Sequence, residues 1–379
     1  LAERAAKSEE APALAALPPA VRMGEEEKAH LIGSAVDWLS QNASRQMPEE
    51  PPPARLRELM TLATGRAMTD DEFEARRDLP AFRRYPFAVE WEGAYPPVPE
   101  GFHVAIIGSG FSGIAAAVQC EILGIPYTVY DRQPEAGGTW SINRYPEIRV
   151  DTPSITYEFS FEKRYPWEEH FGRGAAVRAY LNHVSGKYGA RANTRFGHDL
   201  KAASFDEARD RWMLRFDTPA GERSAEATIV ISASGTFANP TIPDFPGKAD
   251  FKGTIVHPSR WLEGLDLKGK RVALIGNGST GVQMLRAVAR DAAAVHVFQR
   301  TPQWISPREK YGMPLEPELR WLVDNMPGYW NWWRYMATAA LFDIHALQVP
   351  DAAWQAGGGK VNAANDALRD TLTQYIHAQ

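Results

Sequence analysis

The central part of the chain alternates short apolar runs with segments of helical periodicity. Apolar runs at His103–Ile107 and Tyr127–Tyr130 predict buried strands, and Phe111–Leu123 between them is predicted to be a helix. The same order recurs later in the chain, at Arg271–Ile275, Ser279–Arg290 and Ala294–Gln299. Strands that alternate with helices form parallel sheets, so the pattern predicts an α/β fold with two βαβ units.

The first hundred residues show helical periodicity that prolines interrupt. Apolar residues at helical spacing predict helices at Glu25–Gln41, Arg55–Thr64 and Asp70–Arg77. Leu1–Pro19, which is rich in Ala, Glu and Pro, is predicted to be mobile. We interpret residues 1–100 as a helical N-terminal extension and linker. The extension is expected to pack against the main body or against a second subunit in a homodimer, and a loosely attached tail is the alternative.

Between the two βαβ units the pattern changes to alternating segments. The strands predicted there are Arg195–Phe205, Trp212–Phe216 and Ala225–Ile231. A turn at Thr218–Gly221 joins the last two, so we expect an antiparallel meander. Residues 157–200 are otherwise predicted to be helical and irregular, and residues 310–379 to be helical. Both stretches are rich in aromatic residues, which we interpret as core, with the wall of a substrate pocket as the alternative. In the later stretch these are Trp321, Trp330, Trp332, Trp333 and Phe342.

The first βαβ unit has glycines at GxGxxG spacing between its first strand and its helix. These are Gly108, Gly110 and Gly113, and Asp131 stands at the tip of the second strand. Glycines at this spacing give a tight turn, let the backbone approach a pyrophosphate at the helix N-terminus, and let helix and strand pack closely. An acid at the strand tip bonds a ribose hydroxyl. The unit is therefore predicted to bind a dinucleotide of the FAD or NAD type.

The second βαβ unit repeats the glycine spacing with a different charge at its end. Gly276, Gly278 and Gly281 form the motif, and Arg300 and Thr301 stand where the first unit has its acid. An arginine at this place accommodates a 2′-phosphate. The second unit is therefore predicted to bind NADP, with a plain surface charge as the alternative role of the arginine.

Composition narrows the class of protein. The chain has 379 residues, of which 44% are hydrophobic and 23% charged, as in soluble globular proteins with two or three domains. The net charge of −5 provides no basic stripe, so nucleic acid is not an expected partner. No apolar run reaches the ~18 residues of a spanning helix, so no membrane is expected either. Cys120 is the single cysteine, which excludes a CxxC pair and predicts a reducing, cytoplasmic location.

The segment after the first βαβ unit contains a third group of candidate residues. Gly137 and Gly138 suit a backbone that runs close to a flat cofactor, and Trp140 and Tyr145 suit stacking on it or closing its pocket. Asp151 ends the segment, where an acid is able to orient a cationic partner. A helix cap or turn former is the alternative role of this aspartate.

Three motifs in this order resemble the Baeyer–Villiger monooxygenases, a group within the class B flavoprotein monooxygenases. Along the chain, Gly137–Asp151 matches GGxWxxxxYP with a terminal aspartate, Phe251–Trp261 matches FxGxxxHxxxW, and Phe298–Pro302 matches FQRTP. The resemblance covers about residues 100–310. The N-terminal extension is similar to that of the subgroup that includes 4-hydroxyacetophenone monooxygenase.

The resemblance implies a reaction and two cofactors. FAD would occupy the first site and NADPH the second, with O2 and a ketone as substrates. A hydride passes from NADPH to FAD, the reduced flavin forms a peroxide with O2, and one oxygen atom is inserted next to the ketone carbonyl. The product is an ester or a lactone. The dense aromatic residues favour aryl or bulky ketones.

The resemblance also implies which residues form the site. Asp151 is expected to orient an active-site arginine, and His257 and Trp261 to couple the position of NADPH to the flavin chemistry. A satisfied structural histidine is the alternative role of His257. The residues expected to bind the cofactors are Gly108, Gly110, Gly113, Asp131, Arg132, Gly138, Thr139, Trp140, Tyr157, Gly276, Gly278, Ser279, Thr280, Gly281, Gln283, Arg300 and Thr301.

The chain departs from the family in two places. Glu147 stands where Gly or Met is usual, and Leu262 where Pro or Asp is usual. By the spacing of the matched motifs, the family's active-site arginine is expected beyond Gln379, and the C-terminal part of the family fold is expected to be absent. None of the later arginines matches that motif: Arg308, Arg320, Arg334 and Arg369.

The resemblance suggests a domain division and leaves other functions open. Residues 101–242 are expected to form the first part of the FAD-binding domain, and residues 243–379 the NADP-binding domain with a helical aromatic segment. An N- or S-oxidising monooxygenase or an NADPH oxidase of the same fold is one alternative function. A nucleotide-binding module without its catalytic part is another.

Overall fold

The structure is a computed structural model that describes residues 24–88, 93–308 and 310–378. Leu1–Pro19, predicted to be mobile, lies outside the described residues. The chain divides into two compact units. The described residues within 1–88, 150–172 and 303–379 form one of them, which we call the helical unit. Those within 89–149 and 173–302 form the other, which we call the sheet unit.

The described residues contain the following elements. The helices are α1 (Glu25–Asn42), α2 (Pro53–Thr64), α3 (Asp70–Arg76), α4 (Phe111–Leu123), α5 (Thr139–Ile142), α6 (Gly174–Lys187), α7 (Ser279–Asp291), α8 (Pro317–Asn325), α9 (Tyr329–Phe342), α10 (Ala352–Ala356) and α11 (Ala363–His377). The strands are β1 (Val104–Ile107), β2 (Tyr127–Asp131), β3 (Thr194–Phe196), β4 (Asp199–Asp206), β5 (Arg211–Thr218), β6 (Gly221–Ala227), β7 (Ile229–Ser232), β8 (Arg271–Ile275) and β9 (Ala294–Phe298). Short 3-10 turns occur at Ser154–Thr156, Lys248–Asp250, Pro258–Arg260 and Asp343–Gln348.

A parallel sheet of four strands, in the order β3-β2-β1-β7, lies at the centre of the first βαβ unit. β1 is buried because both of its faces are covered. Ile106 packs with Ala117 of α4 on one face, and Ala105 packs with Leu214 and Phe216 of β5 on the other. A strand covered on both faces reads as a continuous apolar run, which is how β1 appears in the sequence.

Two predicted strands are each divided in the structure, and the prediction of a single strand is wrong in both places. The segment Arg195–Phe205 is interrupted at Gly197, so that β3 joins the parallel sheet and β4 the antiparallel meander. The segment Ala225–Ile231 is interrupted at Thr228, whose N–H donates to the carbonyl oxygen of His103 (2.8 Å). β6 pairs with β5, whereas β7 pairs with β1. Alternation of apolar and polar residues continues across the break at Thr228, so the pattern does not reveal the change of sheet there.

The second βαβ unit is confirmed as a parallel pair of strands with a helix on one face. β8 and β9 are in register from Arg271 and Ala294 onward. Met284 and Val288 of α7 are buried in a cluster that includes Leu274 of β8. This packing brings the N-terminus of α7 to the carboxyl end of β8, which is the arrangement that the second glycine motif predicted.

The N-terminal helices of the helical unit differ in their burial. Leu56 of α2, Phe73 of α3 and Tyr335 of α9 belong to one buried cluster. α1 has no buried residue among its described side chains, although its sequence is amphipathic. Four of its large apolar residues are exposed: Leu31, Ile32, Val36 and Trp38.

The aromatic residues of the helical unit are mostly core, as predicted. Trp167, Phe171 and Trp330 are buried. The prediction is wrong for Trp321, which is 48% exposed. Val323 is the buried residue of α8, and Trp321 does not share its face of the helix.

The described residues therefore have an α/β fold with two Rossmann-like βαβ units and N-terminal helices, which confirms the predicted fold class. None of the helices in the described part of the chain has the length and apolar character needed to cross a bilayer.

Candidate dinucleotide-binding sites

The first glycine loop has a backbone that only glycines permit. Gly108 has a φ of +107°, and a Cβ atom there would lie 2.5 Å from the carbonyl oxygen of Ala233. A Cβ atom on Gly113 would lie 1.8 Å from the carbonyl oxygen of Gly108. Gly110 is the N-cap of α4, and among the described residues no side chain caps this helix end. The first-turn N–H groups are therefore available to an anion such as a pyrophosphate.

Asp131 fixes the first loop from the tip of β2. Its carboxylate is buried, and Oδ2 accepts hydrogen bonds from the backbone N–H (2.6 Å) and the hydroxyl (2.7 Å) of Ser109. Oδ1 accepts from the N–H of Gln133 (2.7 Å). Arg132 donates to Asn239 Oδ1 (2.9 Å) and to the carbonyl oxygen of Ala238. Sequence reasoning missed Ser109, because a serine between two glycines carries no specific signal.

The Gly137–Gly138 pair lies directly against the first loop. A Cβ atom on Gly138 would lie 2.9 Å from Cα of Gly110, and the N–H of Gly137 donates to the carbonyl oxygen of Ser109 (3.0 Å). Thr139 begins α5 at this point. Trp140 is buried, and its ring lies beside Gly174. The structure thus brings the two predicted glycine segments together, with the indole inside the sheet unit.

Glu147, which stands where the family usually has Gly or Met, has a left-handed backbone. Its φ is +62°, a region that favours glycine, and its carboxylate pairs with Arg149 (3.1 Å). Arg149 is itself buried. Glu147 therefore combines a strained backbone with an ion pair to a buried cation.

The second glycine loop repeats the geometry of the first. Gly276 also has a φ of +107°, and a Cβ atom on Gly281 would lie 2.5 Å from the Gly276 carbonyl oxygen. Gly278 is the N-cap of α7, which has no capping side chain among the described residues. A Cβ atom on Gly278 would point into open space. The loop therefore presents uncapped N–H groups to an open region, which fits a bound pyrophosphate.

The residues after β9 are held beside this loop. The side-chain amide of Asn277 donates to Gln299 Oε1 (2.6 Å) and to the carbonyl oxygen of Thr301 (3.2 Å). Arg300 and Thr301 are exposed, as is Ser279, and Thr280 is half-buried. An exposed arginine at the strand tip, beside the second glycine loop, fits a 2′-phosphate.

Gln283 lies on α7 one turn beyond the loop and contacts the segment that follows Trp140. Its Oε1 accepts from the hydroxyl of Tyr145 (3.0 Å) and from the N–H of Arg149 (3.3 Å). Its Nε2 donates to the carbonyl oxygen of Arg149 (3.0 Å). Within the sheet unit, this one side chain joins the second βαβ unit to the segment that follows the first.

The fingerprint residues His257 and Trp261 flank a 3-10 turn. Nδ1 of His257 accepts from the N–H of Ser259 (3.2 Å) and lies 2.8 Å from its hydroxyl. His257 is the N-cap of this turn, and Trp261 packs beside the buried cluster of Tyr145 and Met284. This hydrogen bond lets His257 cap the turn, which is a structural role. Its coupling role stays a prediction.

Asp151 and Tyr157 belong to the helical unit rather than to the sheet unit. Asp151 is exposed, and the 3-10 turn that follows begins after Pro153, so Asp151 is not its cap. Tyr157 ends that turn. Burial lowers the pKa of Arg308, and the charge of Asp151 opposes this shift, which places the two within electrostatic reach. No motif of the sequence marks Arg308.

Comparisons with known proteins agree with this geometry. The sequence model of the flavin-binding monooxygenase-like family matches residues 101–323. An uncharacterised monooxygenase of Sinorhizobium fredii is 36% identical over 295 residues, which are 76% of this chain and 44% of the relative. A Baeyer–Villiger monooxygenase of Streptomyces coelicolor is 39% identical over 212 residues, which are 56% of this chain and 40% of the relative.

Among solved structures, cyclohexanone monooxygenase from Rhodococcus sp. Phi1 bound to NADP+ is similar to this chain. The TM-score is 0.52 at 30% sequence identity, and the match covers 65% of this chain and 44% of that chain. The chain therefore spans less than half the length of these relatives.

Proposed function

The chain belongs to the flavin-binding monooxygenase-like family, and from this membership we propose that it acts in Baeyer–Villiger oxidation with FAD and NADPH. One oxygen atom of O2 is inserted next to a ketone carbonyl, and an ester or lactone forms. When bound, FAD supplies the activation of O2 and NADPH supplies the hydride. The similarity to a Baeyer–Villiger monooxygenase and to an NADP+-bound cyclohexanone monooxygenase supports this proposal.

The residues of the first loop would hold FAD. The uncapped N-terminus of α4 at Gly110 provides N–H donors for the pyrophosphate. Asp131 keeps the loop in place through Ser109 and carries the negative charge suited to a ribose hydroxyl. Gly138 has no side chain, and its backbone therefore lies directly against that of Gly110 in the loop.

The residues of the second loop would hold NADPH. Gly278 at the start of α7 provides the pyrophosphate site, and Arg300 provides the cation for the 2′-phosphate. Asn277 positions the segment that carries Arg300 through its bond to Thr301. In the reaction, the task of these residues is to bind and orient the nucleotide.

The remaining roles concern the reacting centre. When the ketone carbonyl is attacked, negative charge develops on the carbonyl oxygen, and a cation in a water-poor site would stabilise it. We assign to Asp151 the task of orienting that cation. His257 and Trp261 are assigned to the coupling of nucleotide position with oxidation, because they lie at the turn that leads into β8.

One observation carries the proposal. Gln283 of the second βαβ unit bonds both Tyr145 and Arg149 of the segment that follows the first βαβ unit. An acid ends the first unit and an arginine ends the second. Two nucleotide sites of different type in one unit, with the helix of the second bonded to the segment that follows the first, suit hydride transfer between a nicotinamide and a flavin. In the residues of this site there is no cysteine pair that would receive the electrons instead.

Turnover with isotopically labelled oxygen tests the proposal. The chain is supplied with FAD, NADPH and oxygen-18 gas on aryl ketones, cyclic ketones and one thioether, and the products are read by mass spectrometry. We expect labelled esters or lactones, with one labelled atom per NADPH consumed. Reactions with unlabelled oxygen and reactions without NADPH are the controls.

The other outcomes each point to a different function. Label in the sulfoxide alone would replace the proposal by heteroatom oxidation. NADPH consumption with hydrogen peroxide and no labelled product would indicate an NADPH oxidase. Binding of both cofactors without NADPH consumption would indicate a nucleotide-binding module.

Finer features of the proposal concern substrate, assembly and location. Aryl or bulky ketones are proposed because of the aromatic residues around Phe171 and Trp330 in the helical unit. The helices α1, α2 and α3 support a likeness to the subgroup of 4-hydroxyacetophenone monooxygenase, and the exposed apolar residues of α1 support a homodimer through this extension. The single buried Cys120 supports a reducing, cytoplasmic location.

A further inference from the structure

Five charged side chains of the helical unit line one open cleft. The cleft has a volume of about 280 Å³. Its lining residues are Arg45, Lys163, Arg164, Arg320 and Asp324. Four of them are cations and one is an acid, and they come from three separate parts of the chain. None of the four cations has a part in the dinucleotide-binding loops, which belong to the sheet unit.

The acid of this cleft is already neutralised. Arg320 donates to both carboxylate oxygens of Asp324, through Nε to Oδ2 (3.0 Å) and Nη2 to Oδ1 (2.8 Å). Such a bidentate pair satisfies the charge of both partners. Three positive charges then remain.

The remaining cations bond to neutral groups. Arg164 donates to the carbonyl oxygens of Arg45 (2.6 Å) and Asp324 (3.2 Å). Lys163 donates to the carbonyl oxygens of Ala81 and Phe82. Within the described part of the chain, the guanidinium of Arg45 makes no hydrogen bond or ion pair. Carbonyl oxygens satisfy hydrogen-bond donors, but they do not cancel a formal charge.

The cations of the cleft disfavour one another. Burial lowers the pKa of Arg164. The charges of Arg320 and Arg45 lower this pKa further, whereas the charges of Asp324 and Glu158 oppose the shift. Burial likewise lowers the pKa of Lys163 to about 8, with further lowering by Arg334, Arg84 and Arg164 and an opposing effect of Glu158. An anion in the cleft would relieve this repulsion.

We propose that the cleft formed by Arg45, Lys163, Arg164 and Arg320 binds a small, multiply charged oxyanion of the phosphate class. Guanidinium groups match oxyanions with parallel N–H donors, and a multiply charged anion balances the three excess cations. The volume lies near the lower end of the ~300–1,000 Å³ typical of small-molecule sites, so the ligand is inorganic phosphate or a small phosphate ester. This site is independent of the proposed oxidation.

Titration calorimetry with inorganic phosphate tests the proposal on the full chain. The variants are Arg45→Ala, Arg45→Lys and Lys163→Gln. Because the Arg45 side chain is exposed and bonds to no described residue, its removal is expected to leave the fold intact. Loss of one charge-assisted contact weakens binding by about tenfold or more, so Arg45→Ala and Lys163→Gln are expected to show this loss. Arg45→Lys keeps the charge and is expected to retain most of the affinity.

Two matched controls separate the cleft from other phosphate sites. Arg55→Ala removes an exposed arginine of α2 that pairs with Glu58 (2.7 Å), and it is expected to bind phosphate as the unchanged chain does. Arg300→Ala removes the cation of the second glycine loop and is expected to keep the phosphate binding that Arg45→Ala weakens. Phosphate binding that is lost in Arg300→Ala and unchanged in Arg45→Ala would overturn the proposal. Equal effects of phosphate and chloride at matched ionic strength, or no saturable binding, would also overturn it.

Discussion

The side-chain amide of Gln283 forms a pair of hydrogen bonds with the backbone of Arg149. Nε2 donates to the carbonyl oxygen (3.0 Å), and Oε1 accepts from the N–H (3.3 Å). The hydroxyl of Tyr145 donates to the same Oε1 (3.0 Å). A single residue of α7 therefore satisfies three polar groups of the segment that ends the GGxW region, and it fixes that segment relative to the second glycine loop.

Replacing Gln283 by leucine removes all three bonds while keeping a similar volume. The Arg149 peptide and the Tyr145 hydroxyl lose partners in a partly buried place, and each such loss costs ~1–3 kcal/mol. We expect the free energy of unfolding, measured by urea denaturation, to fall by at least the cost of one such loss, ~1–3 kcal/mol. We also expect slower flavin reduction by NADPH in stopped-flow experiments, because the segment is no longer fixed.

Val282→Ala is the matched control for this change. Val282 is the neighbour of Gln283 on α7, and it is 40% exposed. Surface substitutions of this kind change stability by less than ~0.5 kcal/mol. Equal unfolding free energies for Gln283→Leu and Val282→Ala would show that the hydrogen bonds do not join the two segments.

Arg300→Ala tests which nucleotide the second loop prefers. The exposed guanidinium at the tip of β9 is expected to bond the 2′-phosphate, which NADH lacks. Loss of a charge-assisted contact corresponds to a ~10- to 100-fold weaker affinity. We therefore expect the dissociation constant of NADPH to rise by this factor and that of NADH to stay unchanged, as measured by fluorescence titration.

Arg290→Ala is the control for charge alone. Arg290 lies near the C-terminal end of α7, is exposed, and pairs with Asp291 (2.8 Å). Its removal lowers the net charge by the same amount but leaves the strand tip intact. If Arg290→Ala changes the preference for NADPH as much as Arg300→Ala does, the assigned role of Arg300 is wrong.

The elements around the glycine loops were predictable because local signals agree there. Phe111–Leu123 has the same bounds in sequence and structure, since a glycine stands directly before and after the helix. The strand Arg271–Ile275 also has its predicted bounds, because a short apolar run that ends at a glycine turn indicates a strand. Gly108 and Gly113 were identified with their steric roles, which the backbone geometry now shows.

What the sequence did not reveal depends on contacts between distant residues. The break at Thr228 exists because its N–H bonds His103, which is more than a hundred residues away. The pairing of Gln283 with Arg149 has no local pattern either, although Gln283 was a candidate for cofactor binding. Arg45 and Arg320 are far apart in sequence, and only the fold places their charges at one cleft.

Gly113→Ala tests the close approach in the first loop. The added Cβ atom would lie 1.8 Å from a backbone oxygen, that of Gly108, which is unable to move aside without opening the loop. We expect loss of bound FAD, measured by absorbance of the released flavin, together with a lower Tm. Full FAD content in a variant of unchanged Tm would contradict the assignment of this loop.

Gly186→Ala is the matched glycine control. Gly186 lies within α6, and no heavy atom lies within 4 Å of the position of an added Cβ. Alanine in a helix interior is more favourable than glycine by ~0.5–1 kcal/mol. This variant is therefore expected to keep its FAD and to unfold at the same or a slightly higher temperature, which separates steric conflict in the loop from a general effect of alanine.

Glu158 gives the helical unit a dependence on pH. Burial raises the pKa of this carboxyl to about 8. The hydrogen bond from Trp167 Nε1 (2.6 Å), the charge of Arg334, and the N–H groups of Arg164 (2.9 Å) and Tyr165 (3.1 Å) oppose this shift. The unfolded chain has the ordinary value of 4.5. Between these two values the folded state binds more protons than the unfolded state, so stability falls as the pH rises from about 4.5 to about 8.

Glu158→Gln removes this titration, because glutamine binds no proton in that range. The difference in unfolding free energy between the unchanged chain and the variant is expected to shift with pH by up to ~1.4 kcal/mol per unit, in favour of the variant at higher pH. Urea denaturation at several pH values between 5 and 8 measures this shift. Glu58→Gln, on the exposed face of α2, is the control. Its unfolding free energy is expected to differ from that of the unchanged chain by the same amount at every pH. Parallel curves for Glu158→Gln as well would mean that the Glu158 carboxyl titrates near its ordinary pKa in the folded state, held ionised by its three N–H donors.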